Sequence, residues 1–223
     1  MSVNILNTGF FTTNDLFVSL SQDEKISYFE TKLRETNREG IESVIDFLKR
    51  TDFYTAPSST SYHSNYDGGL LDHSILVYTL AMRFREQFIE IKPELADRLS
   101  VESITISALL HDICKTCFYK KVLKWRKNVE TGQWESYEGY EIDDNFPIGH
   151  GEKSVIMLQN FGLKLTPDEM IAIRFHMGSW DGAILTNDLR FSYSTSQNMC
   201  PLMTLLQIAD NSSSLLLEYK KEN

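Results

Sequence analysis

Apolar residues along this chain recur mainly at intervals of three and four residues rather than in alternation. This spacing lines them up on one face of an α-helix, so the sequence predicts an all-α protein. The chain has 223 residues, 42% of them hydrophobic, which is enough to bury one large core. We predict helices at 23–37, 40–50, 70–90, 101–115, 151–160, 167–177 and 200–219.

One stretch departs from the helical spacing. Residues 118–143 are rich in aromatic and β-branched side chains, with Glu130, Thr131 and Gly132 as turn residues between two extended runs. We predict a small β-hairpin inserted into the helical core. No repeat or Pro/Gly-rich linker divides the chain. We therefore expect a single domain over 1–223, with a helical extension at 1–58 packed on a core at 60–217.

The two runs of the predicted hairpin carry opposite charge. The first contains five lysine and arginine residues, and the second contains three glutamates. Two interpretations follow. The basic run forms a rim that attracts an anion, or the two runs are joined by ion pairs between the strands.

Net charge and composition restrict the partners of the chain. A net charge of -9 disfavours a grip on a long nucleic acid backbone, whereas a small anionic substrate is compatible with a local metal site. The N-terminus lacks the features of a secretory signal, and no run approaches the length needed to span a bilayer. Three cysteines are an odd number, which favours reduced thiols. We expect a cytoplasmic protein without a membrane partner, and the sequence leaves its oligomeric state open.

The five histidines lie at apolar or glycine-bounded ends of predicted helices. A lone histidine on an apolar face is usually a hydrogen-bonded core residue, but five in such positions are harder to explain that way. They occur in SYHSNYDGGLLDHS (His63 and His73), LLHDICK (His111), FPIGHGEKS (His150) and IRFHMGS (His176).

Two carboxylates accompany these histidines, Asp112 directly after His111 and Asp210 in LLQIADNSSS. Burying a carboxylate in an apolar environment costs free energy unless it is paired, hydrogen-bonded or coordinated to a metal. Imidazole and carboxylate ligands together favour Mn, Fe, Co, Ni or Zn, and Mg less. The sequence therefore predicts one or two divalent transition metals.

The ordered set resembles the HD superfamily of metal-dependent phosphohydrolases over roughly residues 60–215. In that resemblance the first histidine, the His-Asp doublet, the two intermediate histidines and the closing aspartate match His73, His111 with Asp112, His150 with His176, and Asp210. The resemblance implies an all-α HD-domain core whose helices bring these residues together.

The same resemblance implies how metals would be held. The first metal would lie among His73, His111, Asp112 and Asp210. In relatives with two metals Asp112 would bridge, and His150 and His176 would hold the second metal. Since both intermediate histidines are present, we favour two sites, with catalysis by water that the metals activate.

Four further residues are candidates for roles beside the metals. Lys115 follows His111 by four residues, so it would bind a phosphate oxygen or offset transition-state charge, or simply stabilise a helix C-terminus. His63 would protonate the leaving group, contact substrate or orient a neighbour, or be a plain loop histidine. Lys153 and Arg174 are candidate phosphate contacts, with solvated surface positions as the alternative. Asp112, Lys115 and His63 are thus the predicted catalytic residues.

We expect a phosphohydrolase acting on a nucleotide or another small phosphate ester. A phosphodiesterase or 3′ to 5′ exonuclease acting on short oligonucleotides is the nearest alternative, because residues around GGLLDHS and the two middle histidines resemble the HD part of certain exoribonucleases. HMGSWDG lacks the glycine-tyrosine-proline signature of the cyclic dinucleotide branch. A third alternative is a non-catalytic, metal-dependent nucleotide-binding module.

Overall fold

The computed structural model describes residues 19–181 and 186–218. These residues contain eight α-helices and one antiparallel pair of strands, which confirms the predicted all-α class with a small inserted hairpin. The elements are α1 (Gln22–Glu35), α2 (Ile41–Arg50), α3 (Gly69–Ile91), α4 (Val101–Leu110), β1 (Tyr119–Lys127), β2 (Trp134–Ile142), α5 (His150–Asn160), α6 (Pro167–Arg174), α7 (Asn187–Met199) and α8 (Pro201–Ser212). Short 3-10 turns lie at Pro93–Asp97, Ile113–Lys115 and Gly178–Trp180, and a π turn at Ser213–Leu217 follows α8.

Helix α3 is the centre of the core. Every residue from Gly69 to Ala81 is buried, and the helix packs against α4 and α8. A helix that is covered on all sides along half its length has to be largely apolar there, as α3 is. His73 lies within this buried part, so α3 carries it into the middle of the molecule.

Arg38, in the turn between α1 and α2, ties this turn to two other helices. Its guanidinium donates two hydrogen bonds of 2.9 Å to the carboxylate of Glu169 in α6, which is fully buried. Its Nε donates to Glu102 of α4 at 2.6 Å. Glu169 also accepts a hydrogen bond from the backbone N–H of Thr166 and so closes the capping box at the start of α6. One ion-pair cluster thus joins the α1–α2 turn to α4 and α6.

The hairpin pairs β1 with β2 from Tyr119 opposite Ile142 to Lys127 opposite Trp134. Arg126 binds Glu135 across the strands at 2.7 Å, in agreement with the second interpretation of the hairpin charges. Lys121 binds Asp67 at 2.6 Å and anchors the hairpin to the loop before α3.

Three predicted helix ends differ from the observed ones by three residues or more, and one helix was not predicted. Helix α4 ends at Leu110 rather than at residue 115, and the chain passes through the 3-10 turn Ile113–Lys115 before β1 begins at Tyr119. Helix α6 ends at Arg174, and the helix predicted for 200–219 continues after Ser212 as the π turn, with residue 219 outside the described residues. Residues 1–18 of the predicted extension also lie outside them.

Helix α7 was missed because NDLRFSYSTSQNM is polar and rich in residues with weak helix propensity. Its few apolar side chains do not form a stripe that periodicity would detect. Among the described helices, none is both long enough and apolar enough to cross a lipid bilayer.

Candidate metal centre

All six predicted metal ligands meet at one place, although they come from five parts of the fold. His73 lies in α3, His111 and Asp112 directly follow α4, His150 begins α5, His176 follows α6, and Asp210 lies in α8. Four of these residues are fully or almost fully buried, whereas His150 and Asp210 are partly exposed. These six side chains, which are distant in sequence, therefore form one cluster where the helices meet.

Two glycines allow the backbone to approach closely enough for this junction. A Cβ added to Gly69 would lie 2.0 Å from the carbonyl oxygen of Ser64, where the loop before α3 folds back. One added to Gly151 would lie 2.2 Å from the carbonyl oxygen of Arg174. Since neither distance leaves room for a side chain, these glycines bring the start of α3 and the α5–α6 contact into place, and with them His73, His150 and His176.

The histidines are oriented so that their Nε2 atoms face the centre. Nδ1 of His111 donates to the carbonyl oxygen of Ala108 at 2.9 Å, and Nδ1 of His176 donates to that of Ile173 at 2.7 Å. Because a carbonyl oxygen only accepts, these rings carry their proton on Nδ1 when neutral, and Nε2 is left as a bare acceptor. Metal-binding histidines are commonly held in this way.

His73 and His111 provide a direct test of whether a cation fits. Nδ1 of His73 donates to the Glu218 carboxylate at 2.5 Å, and the Nε2 atoms of His73 and His111 lie 3.1 Å apart. With both Nδ1 atoms protonated in the neutral rings, two lone pairs face each other inside the protein. A proton or a cation between or beside them relieves this repulsion, so the donor set fits a divalent metal.

Asp112 lies between two pairs of histidines. Its Oδ2 is 3.4 Å from Nε2 of His73 and 3.5 Å from Nε2 of His111. Its Oδ1 is 2.7 Å from Nε2 of His150 and 3.4 Å from Nε2 of His176. The two carboxylate oxygens therefore face different histidine pairs, as a bridging ligand requires.

Asp210 and Lys115 complete the charged surroundings. Oδ1 of Asp210 lies 3.4 Å from Nε2 of His73, on the side of the first histidine pair. Lys115 does not lie one helical turn beyond His111 as predicted, because α4 has already ended. The 3-10 turn Ile113–Lys115 instead folds it back, and its Nζ lies 2.6 Å from Oδ2 of Asp112.

The electrostatics of the buried groups favour positive charge at the centre. Burial raises the pKa of Asp112, but the Lys115 ammonium and the neighbouring histidines outweigh it and hold this pKa well below its usual range. Burial lowers the pKa of His111 and keeps its ring neutral. Burial also opposes charge on His73, yet Glu218 and the other carboxylates raise the pKa of His73 to about 10. The carboxylates thus draw a cation, or a proton in its place, to this point.

His63 and His73 share a partner that the sequence did not reveal. Oε2 of Glu218 accepts a hydrogen bond of 2.7 Å from Nδ1 of His63, while Oε1 accepts from His73 and, at 2.6 Å, from the hydroxyl of Ser213. The rings of His63 and His73 lie 5.0 Å apart between centroids. His63 is therefore a neighbour of the centre rather than an isolated loop histidine.

The two other predicted phosphate contacts, Lys153 and Arg174, form ion pairs with carboxylates. Neither residue lines the cavity beside the cluster. Nζ of Lys153 binds Asp144 at 2.6 Å, and the residue is buried rather than solvated. The guanidinium of Arg174 binds Asp181 at 2.7 Å and also pairs with Glu152. Their role as phosphate contacts stays a prediction.

A cavity of about 430 Å³ opens above the centre. Its floor includes Asp112, Lys115, His150, His176 and Asp210, and His63 lies on its wall. Pockets of a few hundred Å³ are typical of sites for small molecules. The arrangement can thus bring one small ligand to the cluster of carboxylates, imidazoles and the Lys115 ammonium.

Sequence reasoning missed three residues of this region: Glu218, Tyr62 and Trp180. Glu218 follows an apolar LLL run near the end of the chain, where nothing in its surroundings distinguishes it from a surface glutamate. Tyr62 directly precedes His63, and Trp180 follows His176 by four residues. Their proximity to histidines in the sequence was the one signal that could have identified them.

Comparisons with known proteins agree with this arrangement. A family model described as HD domain matches residues 70–215, which include all six converging residues. Over 88 residues the chain is 32% identical to a protein of Methanocaldococcus jannaschii named dihydroneopterin 2′,3′-cyclic phosphate phosphodiesterase. That alignment covers 40% of this chain and 31% of the relative. No solved structure matches the chain significantly.

Proposed function

The chain belongs to the HD domain family, and from this premise we propose that it is a metal-dependent phosphohydrolase that cleaves a phosphate ester of a nucleotide or another small phosphorylated molecule. The observation that carries the proposal is the position of Asp112, whose two oxygens face two separate pairs of histidines. An aspartate with a purely structural role needs one partner for its charge. Asp112 instead lies close to the imidazole rings of four histidines and to the Lys115 ammonium.

The proposed ligands follow from the distances. His73, His111, Asp112 and Asp210 form one set, and Asp112 also belongs to a second set with His150 and His176. Nitrogen and carboxylate donors favour Mn, Fe, Co, Ni or Zn over Mg. When bound, such ions supply an activated water and positive charge for the phosphoryl oxygens.

Two residues of the chain have roles in the reaction as we propose it. Nζ of Lys115 lines the cavity beside Asp112, where its ammonium offsets negative charge that develops on the phosphoryl group. Nδ1 of His63 is held by Glu218, so Nε2 is the atom that remains to hold a proton for the leaving oxygen. The hydrogen bond to the Glu218 carboxylate orients the ring of His63 in this role.

Cleavage of a phosphodiester is the second candidate activity. The name of the relative describes a phosphodiesterase that acts on dihydroneopterin 2′,3′-cyclic phosphate, which supports a small diester as a substrate. A short oligonucleotide is also a diester, but the cavity of about 430 Å³ has room for little more than its terminal nucleotide. Exonuclease activity would therefore act on a chain end.

We further propose that the protein is cytoplasmic and does not bind long nucleic acids. The net charge of -9 opposes phosphate-backbone binding. The three cysteines are free thiols in the described residues, as expected in a reducing compartment.

The experiment that tests the activity is hydrolysis of a panel of compounds by metal-free protein supplemented with Mn, Co, Ni or Mg. The panel contains nucleoside monophosphates and triphosphates, 2′,3′-cyclic and 3′,5′-cyclic nucleotides, sugar phosphates and short oligonucleotides. We expect turnover that a chelator abolishes and that Mn, Co or Ni restores better than Mg. Measurable metal binding without hydrolysis of any compound would refute this proposal and favour a non-catalytic nucleotide-binding module.

Glu218→Gln is expected to weaken metal binding by about 10- to 100-fold, as is typical when a residue that orients a metal-binding histidine is changed. The amide keeps the size of the side chain but loses the charge, and its NH₂ group cannot accept the Nδ1–H of His63 or His73. The dissociation constant can be measured by competition with a chromophoric chelator.

Glu138→Gln, on the exposed side of β2, is the matched control and should leave the metal affinity unchanged. If Glu218→Gln bound metal as tightly as the control, the proposed orienting role of Glu218 would be wrong. Thermal unfolding of both variants separates loss of metal from loss of fold.

A further inference from the structure

Two chemically different sets of side chains line the cavity above the centre. The first set consists of the charged and imidazole groups described above. The second consists of the large apolar and aromatic side chains of Tyr62, Met177, Trp180 and Leu215. Most of the accessible cavity wall is apolar, so the site can take a ligand that is anionic at one end and apolar at the other.

Three of the four large apolar and aromatic side chains at this cavity are mostly exposed to solvent. Tyr62 is 73% exposed, Trp180 is 70% exposed and Leu215 is 60% exposed. A cluster of exposed apolar side chains beside polar groups indicates a binding surface more often than a single exposed apolar residue does. These three side chains line the cavity with most of their surface exposed, so a ligand bound there can cover their apolar surface.

We call the four apolar residues Tyr62, Met177, Trp180 and Leu215 the apolar rim. They lie close in sequence to residues at the metal centre. Tyr62 adjoins His63, Trp180 ends the 3-10 turn that follows His176, and Leu215 lies in the π turn five residues after Asp210. Three separate segments that each carry a residue of the centre or its neighbour His63 therefore also carry one residue of the rim. A ligand with its phosphate at the centre would have its alcohol part in the same cavity as these side chains.

We propose that Tyr62 and Trp180 stack on a planar heteroaromatic ring carried by the alcohol part of the substrate, so that the site selects nucleotide-like phosphate esters over sugar phosphates without a base. This inference rests on the proposed phosphohydrolase function, because it assumes that the phosphate lies beside Asp112 and Lys115. Aromatic side chains stack on bases of any sequence, since every base has a π face. A sugar phosphate would leave both rings in water and gain nothing from them.

The chemistry of the rim favours a flat ring over an aliphatic chain. Two of its four members are aromatic, whereas a lipid-like alcohol would call for a longer aliphatic wall than Met177 and Leu215 provide. Asn211 and Ser214 also line the cavity and offer polar groups near the edge of a bound heterocycle. The volume of about 430 Å³ suits one ring, its sugar and its phosphate.

The first test compares KM and kcat for a pair of substrates that differ only in the base, such as adenosine 5′-phosphate and ribose 5-phosphate, or the corresponding cyclic esters if only diesters are cleaved. Trp180→Ala and Tyr62→Ala are each expected to raise KM for the nucleotide by about 5- to 100-fold. They should change kinetics with the base-free compound by less than about twofold, and Trp180→Phe should retain most of the affinity.

Matched controls are available because the protein has other exposed aromatic residues that do not line this cavity. Trp125→Ala, on the hairpin and 62% exposed, and Phe191→Ala, on α7 and 76% exposed, should leave both substrates unaffected. Equal losses with the nucleotide and with the base-free compound, or no loss with either, would overturn the stacking proposal.

A second test observes stacking without turnover. The chain has three tryptophans, so Trp125→Phe combined with Trp134→Phe leaves Trp180 as the sole tryptophan. We expect adenosine and guanosine phosphates to quench its fluorescence in a saturable way, and ribose 5-phosphate to leave it unchanged. Absence of this difference would refute the proposal.

The two tests distinguish failure of this inference from failure of the proposed function. Metal-dependent hydrolysis that is equally efficient with and without a base would leave the phosphohydrolase intact and refute stacking. Saturable quenching without hydrolysis of any ester would support stacking and refute the phosphohydrolase.

Discussion

Asp112→Asn is expected to reduce metal-dependent hydrolysis by about 1,000-fold or more at saturating substrate. Removing a single group that stabilises transition-state charge commonly lowers kcat by about 100- to 1,000-fold, and Asp112 is central to both histidine pairs. The amide fills the same volume but offers only one oxygen and no charge. Hydrolysis measured with each metal of the panel, together with metal content of the purified variant, tests this expectation.

The Asp112 prediction needs controls because the substitution also leaves the Lys115 ammonium without its carboxylate partner at 2.6 Å. A buried charge without a partner destabilises a protein strongly. The double variant Asp112→Asn with Lys115→Met removes both charges and should fold as stably as the parent while still lacking activity. Asp67→Asn, at an exposed aspartate that pairs with Lys121, should keep full activity. A folded Asp112→Asn variant with more than a tenth of the parent activity would contradict the bridging role.

The fold could be predicted wherever the spacing of the apolar side chains reflects the helix or strand that they belong to. The apolar spacing that predicted helices reflects faces that pack in the core, as in α3, and the hairpin was visible in its aromatic and β-branched runs. Helix α7 was not predictable in this way, because tertiary placement rather than an apolar stripe explains a polar helix whose Phe191 is exposed. The early end of α4 also has no signal in the apolar spacing, which continues into the 3-10 turn Ile113–Lys115.

The candidate site shows the same division between local and distant causes. Histidines and aspartates at apolar helix ends are rare enough to stand out in a sequence, and the six that are predicted metal ligands lie together in the structure. Glu218 has the local sequence of an ordinary surface glutamate, and only the adjacent His63 distinguishes Tyr62. Their relevance arises only because the π turn after α8 brings Glu218 to His63 and His73, and because the loop before α3 places Tyr62 at the cavity.

Arg38→Met is expected to lower the free energy of unfolding by about 3–5 kcal/mol, the usual consequence of removing one partner of a buried ion pair. Glu169 is fully buried, and two of its hydrogen bonds come from the Arg38 guanidinium. Methionine retains the apolar stem, so most of the loss comes from the charge that remains on Glu169. For a chain of this length the loss corresponds to a decrease in Tm of about 10 °C or more, measured by circular dichroism at constant metal concentration.

The charge explanation for Arg38 can be separated from simple loss of packing. Arg126→Met removes a partly exposed guanidinium that pairs with Glu135 at 2.7 Å across the hairpin, and it should change the free energy of unfolding only slightly because solvent screens this pair. Adding Glu169→Gln to Arg38→Met removes the stranded negative charge while the amide oxygen can still accept from the backbone N–H of Thr166. This double variant should therefore be more stable than Arg38→Met alone. If Glu169→Gln gave no recovery in that background, the stability of the junction between the α1–α2 turn and α6 would come from packing, and the buried ion pair would not be what holds this turn against α6.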